Sequence, residues 1–340
     1  MNEHVFGGKR RRGGQAATLT DVAREAGVGE STASRVLRKS GSFSDQTNQK
    51  VLEAAARLGY VPNRIAGTLA STGSKLVGVI IPSLANIVFP DVLRGANSIL
   101  EAEGLQSVVG VTEYDQAREE NLVASLLAWR PAGLLIAGLE HSEHALTMLK
   151  GAGIRIVELG DIDGEGIDIV VGLSNYQAGR ASAKHLLSRN YRRIGYIGHD
   201  LSRDLRAGKR FRGFNDVLTE NGMSLIDREI VEAPSSIPEG RAALTRLLER
   251  SSDLDAVYFS NDDMAIGGYF HCLSCGIAIP GRLALFGYNG LDVALSAPQP
   301  LSTIRTPRVE IGETGARLLC EGGPSTVVDV GFELLEGATS

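Results

Sequence analysis

Cysteine is scarce, with three residues in a chain of 340. An odd number spread over this length makes no disulfide framework and fits a reducing compartment. No apolar run approaches the roughly 20 residues needed to cross a bilayer, so no membrane partner is expected. The basic residues Lys9, Arg10, Arg11 and Arg12 are followed by glycine and polar residues, not the apolar core of a signal peptide. Export is therefore not expected, and a cytoplasmic location at the nucleoid is.

Catalytic and cofactor signatures are missing too. Gly164-Glu165-Gly166 is not followed by the strand-to-helix G-x-G-x-x-G arrangement of a dinucleotide site, and no P-loop or serine-nucleophile motif occurs. Cys272 and Cys275 form C-x-x-C beside His271, but inside an amphipathic helix with no second ligand pair, so packing is expected there. His141 and His144 have H-x-x-H spacing near a strand end with nothing beside them to complete a site. Trp129 reads as a packing residue. No enzyme activity, metal or cofactor is expected.

What is present is ordinary for a folded chain: 43% hydrophobic and 22% charged residues. The length suits two or three cores. The net charge of −5 conceals an asymmetry, since residues 1–75 carry 12 basic and 6 acidic side chains, against 23 and 34 in the remainder. A basic head on an acidic body suggests that the head alone meets a polyanion.

Residues 1–17 lack periodicity and read as a flexible basic tail. Helical period begins at Leu19, with Thr20 as N-cap and Asp21 suited to the positive end of a helix running to Ala26. Gly27 supplies a tight turn. A second helix, about Ser31 to Arg38, turns Ala33, Val36 and Leu37 inward and Ser31, Thr32, Ser34 and Arg35 outward. A third runs from Asp45, capped by Ser44, to Leu58, and Gly59 ends it. Short helices joined by a glycine turn make a helix-turn-helix over 18–62.

From Lys75 onward, strand-length apolar runs alternate with helix-length amphipathic stretches. The strands expected are Leu76–Ile81, Gln106–Val111, Gly133–Ile136, Ile154–Leu159, Ile167–Val171, Arg193–Ile197, Ala256–Phe259 and Leu283–Gly287. Near-continuous apolar strands between helices mark parallel sheets covered on both faces. The units are too many for one sheet, so the α/β core over 75–340 is expected to hold two doubly wound subdomains. Ligands bind such folds outside the carboxyl ends of strands, here in the cleft between subdomains.

The stretch LTDVAREAGVGESTASRVLRKSGSFSDQTNQKVLEAAARLGYVPNRIAGTLAS resembles the DNA-binding head and hinge of the LacI/GalR repressor family. The resemblance continues through VGVIIPSLANIVFPDVLRGA, RIGYIG, RFRGF, SNDDMAIGG and STIRTPRVEIGETGARLL, covering nearly the whole chain from Thr18. VELGDIDGEGIDIVVGLSNYQAGR and the ending GFELLEG are most similar to the gluconate-utilisation repressors. The resemblance implies a periplasmic-binding-protein-like core, with one subdomain over about 75–174 plus 304–330 and the other over about 175–303. It also implies a homodimer on double-stranded operator DNA and a sugar or sugar-acid effector. No leucine heptads occur at the end, so a tetramer of the lactose-repressor kind is not expected.

For DNA contact the resemblance points to Ser31, Thr32 and Ser34, whose hydroxyls reach phosphates or base edges, and to Arg35, whose fork suits guanine. Thr20 joins this set. Glu30 reads equally as an acceptor for a cytosine amino group and as a favourable charge at a helix start. Residues 63–74 correspond to the family's hinge helix, which forms on the operator. There Leu69 aligns with the leucine that wedges into the central base step, flanked by Asn63, Arg64 and Ala66.

For the effector the resemblance points to Arg210 in RFRGF, with Ser83, Phe89, Thr112, Asn261 and Asn289. Glu158 and Asp161 sit near a further cleft-lining acid position whose register the sequence leaves open. Asn289 also reads as a turn residue, and a neutral amide in place of the family's usual aspartate would relieve repulsion of an anion. Asn261 also reads as a helix cap, with Asp262 and Asp263 structural. A periplasmic-type sugar receptor is the alternative for the core alone, and the DNA-binding head argues against it.

Overall fold

The computed structural model describes residues 17–38, 40–61, 74–85 and 87–340. The chain divides into two compact units, Met1–Thr72 and Gly73–Ser340. Asn63, Arg64, Ala66 and Leu69, the hinge expected over 63–74 and almost all of the basic tail lie outside the described residues or at their margin.

The head is built from α1 (Leu19–Ala26), α2 (Glu30–Leu37) and α3 (Asp45–Leu58). Thr18, not Thr20, caps α1. The Thr18 backbone N–H donates to Asp21 at 3.0 Å, and the Asp21 N–H donates to the Thr18 hydroxyl at 3.3 Å. This reciprocal box needs an acid three residues after the cap, which Thr18 has and Thr20 lacks. Gly27 ends α1 at φ +67°, a left-handed conformation that costs glycine little. Ser44 caps α3 through Thr47 N–H. Val22, Ala23, Ala26, Ala33, Val36, Val51, Ala54 and Ala55 form the core of the head.

The second unit contains two sheets. In the first lie β1 (Leu76–Ile81), β2 (Gln106–Val111), β3 (Gly133–Ala137), β4 (Arg155–Leu159), β5 (Ile169–Gly172) and β11 (Thr326–Asp329), in the order β11-β5-β4-β3-β1-β2, all parallel. The second holds β6 (Ile194–His199), β7 (Asp227–Val231), β8 (Ala256–Phe259), β9 (Ala284–Asn289), β10 (Ser302–Arg305) and β12 (Glu333–Leu335), in the order β12-β10-β9-β8-β6-β7. Here β12 alone is antiparallel to its neighbour.

The chain thus passes between lobes after β5, after β10 and after β11. Two details depart from the sequence reading. The strand β10 keeps residues to Arg305 in the second lobe, and β12 returns the chain there beyond 330. Short or edge strands carry no long apolar run: β7 alternates half-buried and exposed residues before the buried Val231, so little in its composition announces it.

Helices cover both sheets: α4 (Val88–Ala102), α5 (Gln116–Ala128), α6 (Glu143–Gly151), α7 (Asn175–Ser188), α8 (Leu205–Glu220), α9 (Ile237–Arg250), α10 (Asp262–Cys275), α11 (Asp292–Leu295) and α12 (Arg308–Glu321). Close crossing of α7 and α8 fixes the helix that carries Arg210. A Cβ added at Gly179 would stand 1.9 Å from the Arg210 carbonyl oxygen, and one at Gly213 would stand 2.1 Å from that of Tyr176. The glycine of RFRGF is therefore a packing requirement. Trp129, expected to pack, is instead 45% exposed at the end of α5. Among the described residues no helix is long and apolar enough to cross a membrane.

Candidate functional site

A cavity of about 450 Å³ opens between the lobes of the second unit, a volume in the usual range for small-molecule sites. It lies where the parallel strands of both sheets end. Ile81 closes β1, Ala137 β3, Leu159 β4, His199 β6 and Asn289 β9, and all five line it. Strands ending together leave backbone and loop side chains converging on one space, as expected for doubly wound sheets.

Of the residues expected at an effector site, Ser83, Phe89, Arg210, Asn261 and Asn289 line this cavity. Arg210 is 7% exposed. One of its terminal nitrogens donates to Asn175 Oδ1 at 2.9 Å, the other to the Ser260 carbonyl at 3.4 Å. The guanidinium lies 3.9 Å from the Tyr288 ring centroid, and its Nε has no hydrogen-bond partner among the described residues. Asn261 both lines the cavity and caps α10, accepting from Met264 N–H at 3.0 Å and donating to Ser235 Oγ at 2.6 Å. Asn289 is likewise in both roles: it ends β9, adopts φ +116°, and its carbonyl accepts from Arg308.

Three expected residues are not in the lining. Thr112 is buried just behind it, with its N–H on the Ile81 carbonyl at 3.0 Å. Glu158 is wholly buried, accepts from Ile167 N–H, and faces the His141 imidazole at 3.2 Å. Asp161 is also wholly buried and pairs with Lys209. The acid position in question is thus filled by interior ion pairs, and Gly160 is the residue of that loop that reaches the cavity.

His141, whose H-x-x-H spacing completes no site in the sequence, sits between two carboxylates, its other nitrogen 2.7 Å from Glu119. Burial alone would push the imidazole down, but the bonds to Glu119 and Glu158 prevail and push it up to about 9. Asp262, also inside, accepts from Leu291 N–H and from the Thr303 hydroxyl, both at 2.8 Å, so it pins the turn after β9.

The cavity also contains residues the sequence reading passed over: Glu113, Tyr114, Asp204, Arg203, Arg206 and Arg308. Glu113 and Tyr114 adopt φ of +52° and +60°, left-handed values that a non-glycine residue holds only when its surroundings enforce them. Burial and the nearby Asp204 push the Tyr114 phenol up to about 12, against the pull of Arg206 and Arg210, so it stays a neutral donor. Arg206 lies over the Phe89 ring at 5.3 Å. Arg206 and Arg210 recur at i and i+4 on α8, a helix-face spacing visible in RAGKR, while Arg203 lies in the turn just before that helix.

In the head, Thr20, Glu30, Ser31 and Arg35 are exposed and Thr32 and Ser34 half-buried. Gly29, with no side chain to offer, is the N-cap of α2, so Glu30 opens that helix. The Arg35 guanidinium lies 5.2 Å from the Phe43 ring centroid.

Comparison with known proteins follows the same division. Residues 18–63 match the family described as bacterial regulatory proteins, lacI family. Residues 74–325 match that described as periplasmic binding proteins and sugar binding domain of LacI family. The HTH-type transcriptional regulator GntR of Pseudomonas aeruginosa is 39% identical over 94% of this chain and 94% of its own. A solved LacI-family transcriptional regulator from Silicibacter pomeroyi is 46% identical with a TM-score of 0.90, covering 95% of this chain and 99% of that one. The lac repressor dimer, solved bound to operator and the anti-inducer ONPF, is 25% identical with a TM-score of 0.78, covering 96% of this chain and 99% of that one.

Proposed function

The chain belongs to the LacI family of bacterial regulatory proteins and is a DNA-binding transcriptional regulator, and on that premise we propose that a sugar acid of the gluconate class controls it. It acts as a cytoplasmic repressor of an operon for sugar-acid breakdown. The observation that carries this reading is the charge of the cavity. Arg203, Arg206 and Arg210 line it, and among the described residues none forms an ion pair with a carboxylate within 4.0 Å. Arg308 is already engaged by Asp91 at 2.9 Å, and Glu113 by Arg118. Asp204 and Glu232 then face three arginines, a surplus of one positive charge. A single carboxylate offsets that surplus, whereas a neutral sugar leaves it and a phosphorylated acid overshoots it. Ser83, Ser235, Asn261 and Tyr288 add hydroxyl and amide groups suited to a polyhydroxy chain.

On DNA, the relative solved as a dimer on its operator supports a two-fold arrangement here, with each head reading one half-site. Ser31, Thr32, Ser34 and Arg35 would enter the major groove from α2, with Thr20 and Glu30 at its margin and the segment containing Asn63, Arg64, Ala66 and Leu69 in the minor groove. The test is to select an operator from a random duplex pool. D-gluconate, its 6-phosphate and D-glucose are then titrated into the complex. Gluconate should change operator affinity most. A response to glucose with none to either acid would overturn the reading.

A further inference from the structure

We infer that Lys209 is a positioning residue: it latches the two lobes together beside the cavity and so sets effector affinity without touching the ligand. The inference rests on the reading of the cavity as the effector site. Consecutive residues on a helix point about 100° apart. Arg210 therefore faces the cavity while Lys209, its neighbour on α8 of the second lobe, is directed across to the first. Its ammonium pairs with two first-lobe carboxylates, Glu140 in the loop after β3 and Asp161 in the loop after β4. Lys209 is 11% exposed and Asp161 not at all. Lys209 is absent from the cavity lining.

The Asp161 carboxylate is committed on both oxygens. One meets Lys209, and the other accepts from Asn175 Nδ2 at 3.2 Å and from Asp163 N–H at 3.1 Å. Asn175 also donates to the Gly160 carbonyl at 3.1 Å and presents its own Oδ1 to Arg210 at 2.9 Å. Lys209, Asp161, Asn175 and Arg210 thus form a closed circuit, completed by the peptide bond between residues 209 and 210. The ion pair that spans the lobes fixes the amide that aims the guanidinium.

A buried carboxylate deprived of its cation is costly unless water reaches it. Opening the cleft would admit that water, so loss of the Lys209 charge shifts the lobes apart. Arg203, which donates to the Glu113 carbonyl at 3.0 Å, is a second link across the cleft but a neutral-acceptor one. It does not replace an ion pair to the wholly buried Asp161.

The experiment uses the full-length protein and two variants, Lys209→Met and the charge-balanced double variant Asp161→Asn/Lys209→Met, which leaves no uncompensated buried charge. Calorimetric titration with D-gluconate should show affinity lowered at least tenfold in both. Hydrogen–deuterium exchange without ligand should show faster exchange confined to residues 159–164 and 172–176, with the core strands β1 and β8 unchanged. Affinity and exchange both at wild-type levels in the two variants would overturn the latch, as would faster exchange spread evenly through the core strands. Arg210→Met separates the two readings. If wild-type protein binds gluconate no better than Arg210→Met does, the effector assignment fails, and the exchange pattern alone then decides for or against the latch.

Discussion

Arg35 rests its guanidinium on the ring of Phe43, 5.2 Å from the centroid, on the exposed side of the head. Gly41 makes room for it, because a Cβ there would stand 2.5 Å from Arg35 Nη2. A long side chain that must present a planar fork to a base is thereby held before DNA arrives, which lowers the entropy lost on binding.

Phe43→Leu keeps apolar volume against the core of the head but removes the ring face. Cation–π contacts at exposed sites contribute about 0.5–1 kcal/mol. Affinity for the selected operator should fall roughly two- to fivefold, while binding to random duplex at matched salt stays level. Fluorescence anisotropy on the two duplexes measures the difference.

Leu69→Ala probes the segment outside the described residues. As a wedge between base steps, Leu69 would contribute only where DNA is kinked, so operator affinity should drop far more than random-duplex affinity. Equal losses on both would contradict a wedge.

Gly179→Ala places a methyl group against the Arg210 carbonyl, where the gap is 1.9 Å. The helices α7 and α8 must separate, at a cost of about 1–3 kcal/mol for overpacking of this kind. Thermal melts should show the loss of stability. Gluconate titration should show weaker binding, since Arg210 rides on the displaced helix.

The His141 imidazole, 1% exposed between Glu119 and Glu158, gives a pH signature. Its folded-state pKa is raised to about 9 from 6.5, so the folded protein holds a proton that the unfolded chain releases. The stabilisation is complete below about pH 6.5 and is lost as pH rises through about 9. At the low end of that window it amounts to about 3 kcal/mol. Denaturant melts from pH 6 to 10 should fall steeply for the wild type and more gently for His141→Gln.

The head was legible because its signals are local: Ser44 and Gly59 bracket α3 within the sequence they terminate. Thr20 was misread as the cap because two threonines flank Leu19, and only the Asp21 side chain distinguishes them. In the second unit, apolar runs located the central strands, while β7, β10, β11 and β12 are too short or too polar to stand out. Arg210 was marked by its motif, yet its partners Asn175 and Tyr288 come from distant segments that no spacing rule joins. Glu158 and Asp161 show why an open register matters. On a strand and the turn after it, one position decides between cavity and interior. Both acids fall inside, and Gly160 between them faces the ligand space.

The threefold passage of the chain between lobes sets a rule for anyone who would rebuild this protein. No single cut yields either lobe as one uninterrupted polypeptide, because β11 returns to the first sheet and β12 to the second. Transplanting a relative's second lobe to alter effector choice requires three splice points, near residues 173, 306 and 331. By the same token, a protease that nicks one crossing leaves the halves tethered by the other two.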